Sequence, residues 1–173
     1  MSKTTPATLY AFSGLPGVGK TTLAKRLAAS VNACFIRIDT VEQALRDLCD
    51  FDAEGEGYRL SYRIAADNLL NDVSVVADSC NTIALTRREW EAVAADAGSR
   101  CVNIEVVCSD RQEHKARIES RTSDIVDLYL PTWADVEARE YEAWTEERLI
   151  IDTAGRTEDE AFAQLDRCLA VER

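Results

Sequence analysis

The stretch Gly14-Leu15-Pro16-Gly17-Val18-Gly19-Lys20-Thr21 matches the pattern G-x-x-x-x-G-K-[ST] at every defined position. In front of it, the apolar residues Leu9-Tyr10-Ala11-Phe12 predict a short β-strand. Behind it, Thr22 to Ser30 predict an α-helix with Leu23 and Leu27 on one face. A glycine loop between strand and helix turns successive backbone N–H groups and the positive end of the helix dipole towards one point. The sequence therefore predicts a phosphate-binding loop.

The motif gives its residues distinct chemical roles. Lys20 can reach the β- and γ-phosphates of a bound nucleoside triphosphate, and the Thr21 hydroxyl can ligate Mg²⁺. A glycine turn that matches by chance is the alternative, and the agreement of motif and flanks disfavours it. The candidate nucleotide-binding residues of the loop are Gly14, Leu15, Pro16, Gly17, Val18, Gly19, Lys20, Thr21 and Thr22.

Length and composition predict a single domain over residues 1–173. With 46% hydrophobic and 29% charged residues, the chain is typical of soluble globular proteins. No apolar run approaches the roughly 20 residues that a membrane helix requires, which predicts no membrane partner. The segment Met1 to Pro6 contains no hydrophobic secretory region, so the sequence predicts a cytoplasmic protein.

Charge and cysteine content narrow the classes of partner. The net charge of −11 disfavours a broad contact with nucleic acid. It does not exclude a local basic cleft, because several arginines cluster in the sequence. The one histidine, His114, and the absence of a C-x-x-C pair argue against a zinc site. Buried free thiols are expected for the six cysteines, Cys34, Cys49, Cys80, Cys101, Cys108 and Cys168.

The second predicted strand, Ala33 to Ile38, ends at an acid, Asp39. A carboxylate at the carboxyl end of a strand lies at the edge where open α/β sheets bind ligands. Asp39 could orient an acceptor hydroxyl or take its proton next to the γ-phosphate. It could equally cap a helix predicted from Val41 to Leu48. The residues alone support both roles about equally.

The third predicted strand, Val73 to Ala77, is followed directly by Asp78. An apolar strand closed by an acid is the layout of a Walker B carboxylate, which holds Mg²⁺ opposite the loop threonine. We therefore expect Asp78 and Thr21 to form the magnesium site. In the loop that follows, Asn81 is a possible substrate contact.

A helix is predicted from Tyr58 to Leu70, with Leu60, Ile64 and Leu69 or Leu70 facing inward. Arg59 and Arg63 on this helix could hold an acceptor substrate. For each arginine alone, a solvated surface position is at least as well supported.

Two further arginines share a helix face. A helix is predicted over Arg111 to Ser120 after a fourth strand, Cys101 to Cys108, with Ser109 or Asp110 as its cap. Arg117 and Arg121 lie four residues apart, so they repel each other unless an anion such as a triphosphate lies between them. The alternative is that they pair with Glu113, Glu119 or Asp124.

The remaining chain predicts a mobile cover followed by regular elements. Thr122 to Thr132 shows no clear period and is expected to form a lid over the phosphates, within a lid segment at about 121–136. The other predicted elements are a helix from Arg87 to Ala97, a helix from Trp133 to Glu147, a fifth strand, Leu149 to Ile151, and a terminal helix capped by Thr157 and Glu160.

The segment Asp152-Thr153-Ala154-Gly155 matches the D-x-x-G of GTPase switch regions. It follows the last strand, whereas a γ-phosphate sensor should come from a strand near the phosphate loop. No N-K-x-D guanine-reading motif is present in the sequence. These features disfavour a GTPase, and a non-catalytic nucleotide-binding or regulatory ATPase module stays as a further alternative.

Alternating strands and helices predict an α/β fold, a three-layer sandwich with a parallel sheet covered on both faces. In this order of elements the chain resembles the small P-loop kinases of the nucleoside-monophosphate-kinase-like group, often labelled AAA-type ATPases. It resembles especially the branch that contains chloramphenicol phosphotransferases, zeta toxins, gluconate kinases, adenylylsulfate kinases and polynucleotide 5′-hydroxyl kinases. The motifs that carry the resemblance are residues 14–22, Asp39, residues 75–81, Arg117-x-x-x-Arg121 and Ile151-Asp152-Thr153.

The resemblance implies a P-loop NTP hydrolase fold with a five-stranded sheet in the order 2-3-1-4-5. It implies that Asp39 acts on the acceptor hydroxyl, that Arg117 lies near the adenine and that Arg121 lies near the transferred phosphate. Polynucleotide kinases usually have an arginine shortly after the acid, which Asp39-Thr40-Val41-Glu42 lacks. The chain is also too short for a hexameric AAA module.

The sequence thus predicts an ATP- and Mg²⁺-dependent phosphotransferase, a P-loop kinase that moves the γ-phosphoryl group to a hydroxyl of a small molecule. Its predicted catalytic residues are Lys20, Asp39 and Arg121. A polynucleotide 5′-hydroxyl or nucleotide kinase is the second alternative. The sequence identifies neither the acceptor nor the oligomeric state.

Overall fold

The computed structural model describes residues 6–171, so most of the Met1 to Pro6 segment behind the cytoplasmic prediction lies outside the described residues. The strands are β1 (Thr8–Ser13), β2 (Cys34–Arg37), β3 (Val75–Asp78), β4 (Arg100–Val107) and β5 (Leu149–Asp152). The helices are α1 (Lys20–Val31), α2 (Ile38–Cys49), α3 (Glu56–Leu70), α4 (Ala84–Asp96), α5 (Arg111–Ser120), α6 (Trp133–Ala138) and α7 (Glu158–Val171).

The five strands form one parallel sheet in the order β2-β3-β1-β4-β5. One face carries a core that includes Leu23 and Leu27 of α1 and Leu165 of α7. The opposite face carries a second core with Tyr62 of α3 and Trp90 of α4. The predicted three-layer α/β sandwich with the P-loop NTP hydrolase fold is confirmed, including its strand order.

The join between β2 and α2 differs from the prediction. β2 ends at Arg37 and α2 begins at Ile38, so Asp39 lies in the first helical turn and not after a strand that reaches Ile38. An acid in the first turn is stabilised by the helix dipole. The N-cap residue is Arg37, and no side chain caps this helix, so the predicted cap role of Asp39 is wrong.

The inward face of α3 also differs. Leu60 and Ile64, predicted to face inward, are 39% and 45% exposed. The buried residues on this face include Tyr62 and Ala65, and the Tyr62 ring packs edge-on against Trp90 at 4.5 Å between centroids. The reason is that the aromatic pair determines which side of α3 faces α4, so Leu60 and Ile64 turn outward while Leu69 is buried as predicted.

The predicted helix from Trp133 to Glu147 ends early, at Ala138. Its continuation is irregular because the carbonyl groups of Glu142 and Ala143 accept hydrogen bonds from Arg87 and not from helical amides. Arg87 itself lies inside α4, which begins three residues before the predicted start, and its side chain is fully buried. A long-range contact therefore overrides the local helix preference.

Two smaller expectations have mixed outcomes. The six cysteines are free, but Cys49 is exposed and the others are half-buried, so their predicted burial is wrong in degree. The capping box of Thr157 and Glu160 at the start of α7 is confirmed.

None of the helices in the described range combines the length and apolar character needed to cross a bilayer.

Candidate active site

The loop between β1 and α1 has the backbone shape that its glycines predict. Gly14, Gly17 and Gly19 all have positive φ angles. A Cβ atom on Gly14 would lie 2.2 Å from the Val106 carbonyl oxygen, a contact that no side chain tolerates. The Gly14 N–H donates to the Cys80 carbonyl at 3.0 Å, which ties the loop to the end of β3. Glycine is therefore required here for close packing of loop on sheet.

The start of α1 is open to a ligand. Its N-cap is Gly19, no side chain caps the helix, and its first turn holds no acid. Free N–H groups and the helix dipole favour an anion at this end. Lys20 is buried and donates from Nζ to the Leu15 carbonyl at 2.9 Å, so its ammonium group is held over the loop.

Asp78 ends β3 beside this loop and is only 4% exposed. Its Oδ2 atom has no hydrogen-bond partner among the described residues. Burial raises the pKa of Asp78, while Lys20 and a hydrogen bond from Thr21 act in the opposite direction. A buried carboxylate oxygen without a partner, next to a threonine hydroxyl, suits a hard cation such as Mg²⁺.

Within residues 6–171, no three His, Cys, Asp or Glu side chains are grouped as a metal site. An ion at Asp78 and Thr21 would therefore need further oxygen ligands from nucleotide phosphates or water. This is the usual arrangement for Mg²⁺, which keeps several waters and takes few protein ligands. The residues present fit that ion.

Arg37 lies at the centre of the acidic residues of the site. Its Nε is 3.8 Å from an Asp39 oxygen and 3.9 Å from Asp78 Oδ2, and the side chain is 10% exposed. These distances are too long for hydrogen bonds, and Nε has no other hydrogen-bond partner in the described chain. Arg37 therefore balances the charge of both carboxylates without occupying their oxygens.

Asp124, in the predicted lid, crosses over to the same arginine. It accepts from Arg37 Nη1 at 2.7 Å and from Lys25 Nζ at 2.6 Å. These two cations hold the pKa of Asp124 well below its usual range. Asp124 therefore connects the beginning of the lid segment to Arg37 of β2 and Lys25 of α1.

The two arginines at the end of α5 have different surroundings. Arg117 donates to the Thr153 hydroxyl at 2.8 Å and pairs with Glu113 at 2.5 Å, which is one of the predicted alternatives. Thr153 in turn donates to the Val18 carbonyl, so this network supports the loop. Arg121 is half-buried, and burial lowers its pKa while the nearby Asp39 raises it. No ion pair of Arg121 is present in the described part of the chain.

A cavity of about 1000 Å³ brings these groups together. Its lining includes six predicted loop residues, the two predicted acids and the two predicted arginines, namely Pro16, Gly17, Gly19, Lys20, Thr21, Thr22, Asp39, Asp78, Arg117 and Arg121. Seven Lys and Arg side chains and six Asp and Glu side chains line the cavity. The whole chain has 20 Lys and Arg residues and 31 Asp and Glu residues. The cavity lining is therefore nearly balanced in formal charge, although the protein as a whole is strongly acidic.

Other predicted residues lie elsewhere. Leu15 packs against the hydrophobic core and Val18 belongs to it, so they shape the loop from behind. Arg59 is 75% exposed and pairs with Glu56, and Arg63 is also exposed. Asn81 is 1% exposed. It donates to the Phe12 carbonyl at 3.0 Å and so supports the end of β1.

Sequence reasoning missed several residues that line the cavity, above all Lys25, Arg37, Glu42, Arg46 and Arg139. A signal for Arg37 was available, because a charged residue at the end of an apolar strand needs a partner inside the fold. The others carry no comparable signal, since exposed and cavity-facing charges on a helix have the same sequence pattern.

The described structure resembles several solved P-loop proteins. Kti12 from Chaetomium thermophilum, solved in complex with ADP-AlF3, has a TM-score of 0.70 at 19% identity, covering 94% of this chain and 97% of that one. A sugar kinase from Janibacter sp. HTCC2649 has a TM-score of 0.68 at 14% identity, covering 95% of each.

A third similar structure is the APS kinase CysC from Mycobacterium tuberculosis in complex with AMPPNP and APS. Its TM-score is 0.65 at 17% identity, and the match covers 96% of this chain and 99% of that one. At these identities the structures establish a shared fold. No curated protein matches the sequence.

The sequence model of the AAA domain family matches residues 9–143, more than three quarters of the chain. The match spans the phosphate loop, Asp39, Asp78, Arg117 and Arg121. Together with the fold, it confirms the resemblance to the small P-loop proteins of the nucleoside-monophosphate-kinase-like group. The chain therefore belongs to the AAA domain family.

Proposed function

We propose that this protein is an ATP- and Mg²⁺-dependent phosphotransferase that moves the γ-phosphoryl group to a hydroxyl of a small molecule. The observation that carries the proposal is the pairing of two carboxylates in one cavity. Asp78 is buried with a free oxygen beside the phosphate loop, and Asp39 is half-exposed and approaches the same Arg37 Nε atom. One suits a metal ion, and the other is accessible to an acceptor.

Each residue then has a definite role. The N–H groups of the loop and Lys20 hold the β- and γ-phosphates, and Thr21 and Asp78 would hold Mg²⁺, which would supply positive charge beside the phosphates. Asp39 orients the acceptor hydroxyl and accepts its proton. Arg121, near Asp39, stabilises the charge that develops during transfer.

The second, smaller cavity beside Arg117 is consistent with a site for the adenine. It has a volume of about 250 Å³ and is lined by Gly17, Arg117, Thr153 and Arg156, among others. The lid, about 121–136, covers the phosphate cavity through Asp124 and further residues. Its closure would exclude water and so suppress hydrolysis of ATP.

A polynucleotide acceptor is disfavoured by the chain's charge of −11. A nucleotide-binding regulatory module is the remaining alternative, because the shared fold alone does not require transfer to an acceptor. Localisation in the cytoplasm and a small-molecule partner remain part of the proposal.

The test is ADP production from Mg-ATP with a panel of hydroxyl compounds, namely sugars, nucleosides, nucleoside monophosphates, aminoglycoside and phenicol antibiotics and a 5′-hydroxyl oligonucleotide. At least one should stimulate turnover, and Asp39→Asn should remove about 10³-fold of that stimulation while ATP binding survives. Asp72→Asn is the matched control, because Asp72 is exposed and has a positive φ that asparagine also adopts. Binding of ATP without stimulation by any acceptor would favour the regulatory module.

A further inference from the structure

A third cavity adjoins the phosphate cavity on the side of Asp39. It has a volume of about 410 Å³, which is in the range of sites for small organic ligands. The two cavities share four lining residues, Asp39, Glu42, Cys80 and Arg139. A compound in this cavity would therefore present its hydroxyl group to Asp39. We call this space the acceptor cavity.

Its walls combine apolar and acidic groups. The apolar part is formed by Ile38, Tyr58, Ile83 and Leu85. The acidic part consists of four carboxylates, Asp39, Glu42, Glu54 and Glu89. Two arginines, Arg59 and Arg139, also line it. Arg59, a predicted acceptor contact, is three-quarters exposed and is paired with Glu56, whose carboxylate offsets its charge.

The charge balance is the reverse of that in the phosphate cavity. There, cations outnumber acids, whereas here carboxylates outnumber arginines by two to one. Negative charge next to Asp39 opposes a second anion in the same space, because like charges in a partly buried site repel strongly. An anionic acceptor is therefore disfavoured, and a cationic one is attracted.

Glu42 is the residue best suited to bind such a cation. It has neither a hydrogen bond nor an ion pair within the described residues, although it is half-buried. A Cβ atom on Gly57 would lie 2.4 Å from Glu42 Cγ, so the lack of a side chain at Gly57 lets the Glu42 stem pack on α3. Burial, followed by the charge of Asp39, raises the pKa of Glu42, while the nearby charges of Arg46 and Arg139 only partly offset this rise. A half-buried carboxylate without a partner is stabilised by a ligand that supplies one.

We infer that the acceptor is a small hydroxyl compound with a protonated amine, and that Glu42 binds the amine while Asp39 receives the hydroxyl. This inference rests on the proposed phosphotransferase function. In the reaction, the acceptor oxygen bonds to the γ-phosphorus as the bond to the β-phosphate oxygen breaks. The electron pair of that bond leaves with ADP, and the hydroxyl proton passes to Asp39.

The experiment compares three probes of similar size and different charge, D-glucosamine, D-glucose and D-gluconate. Calorimetry measures their affinity for the protein loaded with Mg²⁺ and a non-hydrolysable ATP analogue, and ADP production is measured separately. D-Glucosamine should bind at least about tenfold more tightly than D-glucose, and D-gluconate should bind most weakly. Glu42→Gln should abolish most of the preference, while Glu119→Gln, on the exposed side of α5, should preserve it.

A second variant separates binding by Glu42 from a general effect on the fold. Gly57→Ala should displace Glu42 and lower the preference in the parent protein, but should have no further effect on the preference in the Glu42→Gln background. Equal binding of the amine and the neutral sugar, preference for the acid, or no binding of any probe would overturn the inference. If D-glucosamine binds preferentially but no phosphoryl group is transferred, the preference of the acceptor cavity for an amine stands and the proposed phosphotransferase function is refuted.

Discussion

Two buried arginines in this protein have opposite surroundings. Arg87 is fully buried, and its guanidinium donates to the carbonyl groups of Asn81, Thr82 and Glu142 and lies 4.2 Å from the centre of the Trp144 ring. Arg37 is nearly as buried, but its Nε has no hydrogen-bond partner, and the carboxylates of Asp39 and Asp78 lie almost 4 Å away.

The difference separates a cation whose hydrogen bonds are complete from one whose neighbouring carboxylates keep free oxygens. Around Arg87 the donors are matched by neutral acceptors and aromatic rings, so the arrangement is complete without a ligand. Around Arg37 the charges are balanced but their oxygens remain free. The proposed binding of a metal ion and phosphates requires such unsatisfied groups, and the rest of the fold must offset their cost.

The largest expected effect concerns Asp78, one of the two carboxylates near Arg37. Asp78→Asn should lower phosphoryl transfer by about 10³-fold, because the proposed Mg²⁺ site loses its carboxylate. The variant should be at least as stable as the parent at neutral pH. The reason is that the raised pKa of Asp78 makes its ionised form unfavourable in the fold, a cost that grows as pH rises through that pKa. Steady-state kinetics and thermal melts measure the two effects.

Because the pKa of Asp78 is raised, Mg²⁺ binding at this carboxylate should depend on pH. Protons compete with the metal, so Mg²⁺ should bind the parent more weakly as pH falls towards the raised pKa. If Asp78→Asn clearly lowers the free energy of unfolding, the ionised Asp78 carboxylate does not destabilise the fold and the prediction is wrong.

The next effect tests the structural arginine. Arg87→Met should lower the free energy of unfolding by about 3 kcal/mol, because several buried carbonyl groups lose their donor and Glu146 loses its nearby cation. Urea denaturation measures this loss. Arg88→Met, at the exposed neighbouring position of α4, is the control and should change stability by less than about 0.5 kcal/mol. If both variants behave alike, Arg87 has no special structural role.

The smallest effect concerns the contact between Arg37 and the lid. Asp124→Asn should change stability by no more than about 1 kcal/mol, because Asp124 is largely exposed. Hydrogen exchange in residues 121–136 should nevertheless become faster, since both charge-assisted bonds to Lys25 and Arg37 weaken.

In the parent protein this lid contact should persist in mild acid. The pKa of Asp124 is lowered, so the stabilisation from its ionised form is present at neutral pH and is lost only as pH falls through that lowered value. Exchange measured at pH 7 and pH 5 should therefore show similar protection of the lid. Loss of protection already at pH 5 would mean that Asp124 does not hold the lid.

Much of the fold could be predicted because its signals are local. The glycine motif, the apolar runs and the capping residues Asp110 and Thr157 each act within a few residues of chain, and each was confirmed. The strand order came from the resemblance to a family. Where prediction was wrong, as at Leu60 and in residues 139–147, side chains distant in sequence decided the local conformation.

The sequence by itself therefore determined the α/β class and the glycine loop and singled out the acids Asp39 and Asp78, because the signals of strand, loop and helix act over short spans of chain. Only the tertiary structure decided that Arg37 lies between the two acids and that Asp124 reaches across to it. It also decided that Arg87 is buried and that Glu42 faces a cavity. Burial and charge pairing depend on elements brought together from distant parts of the chain, and no local pattern records them.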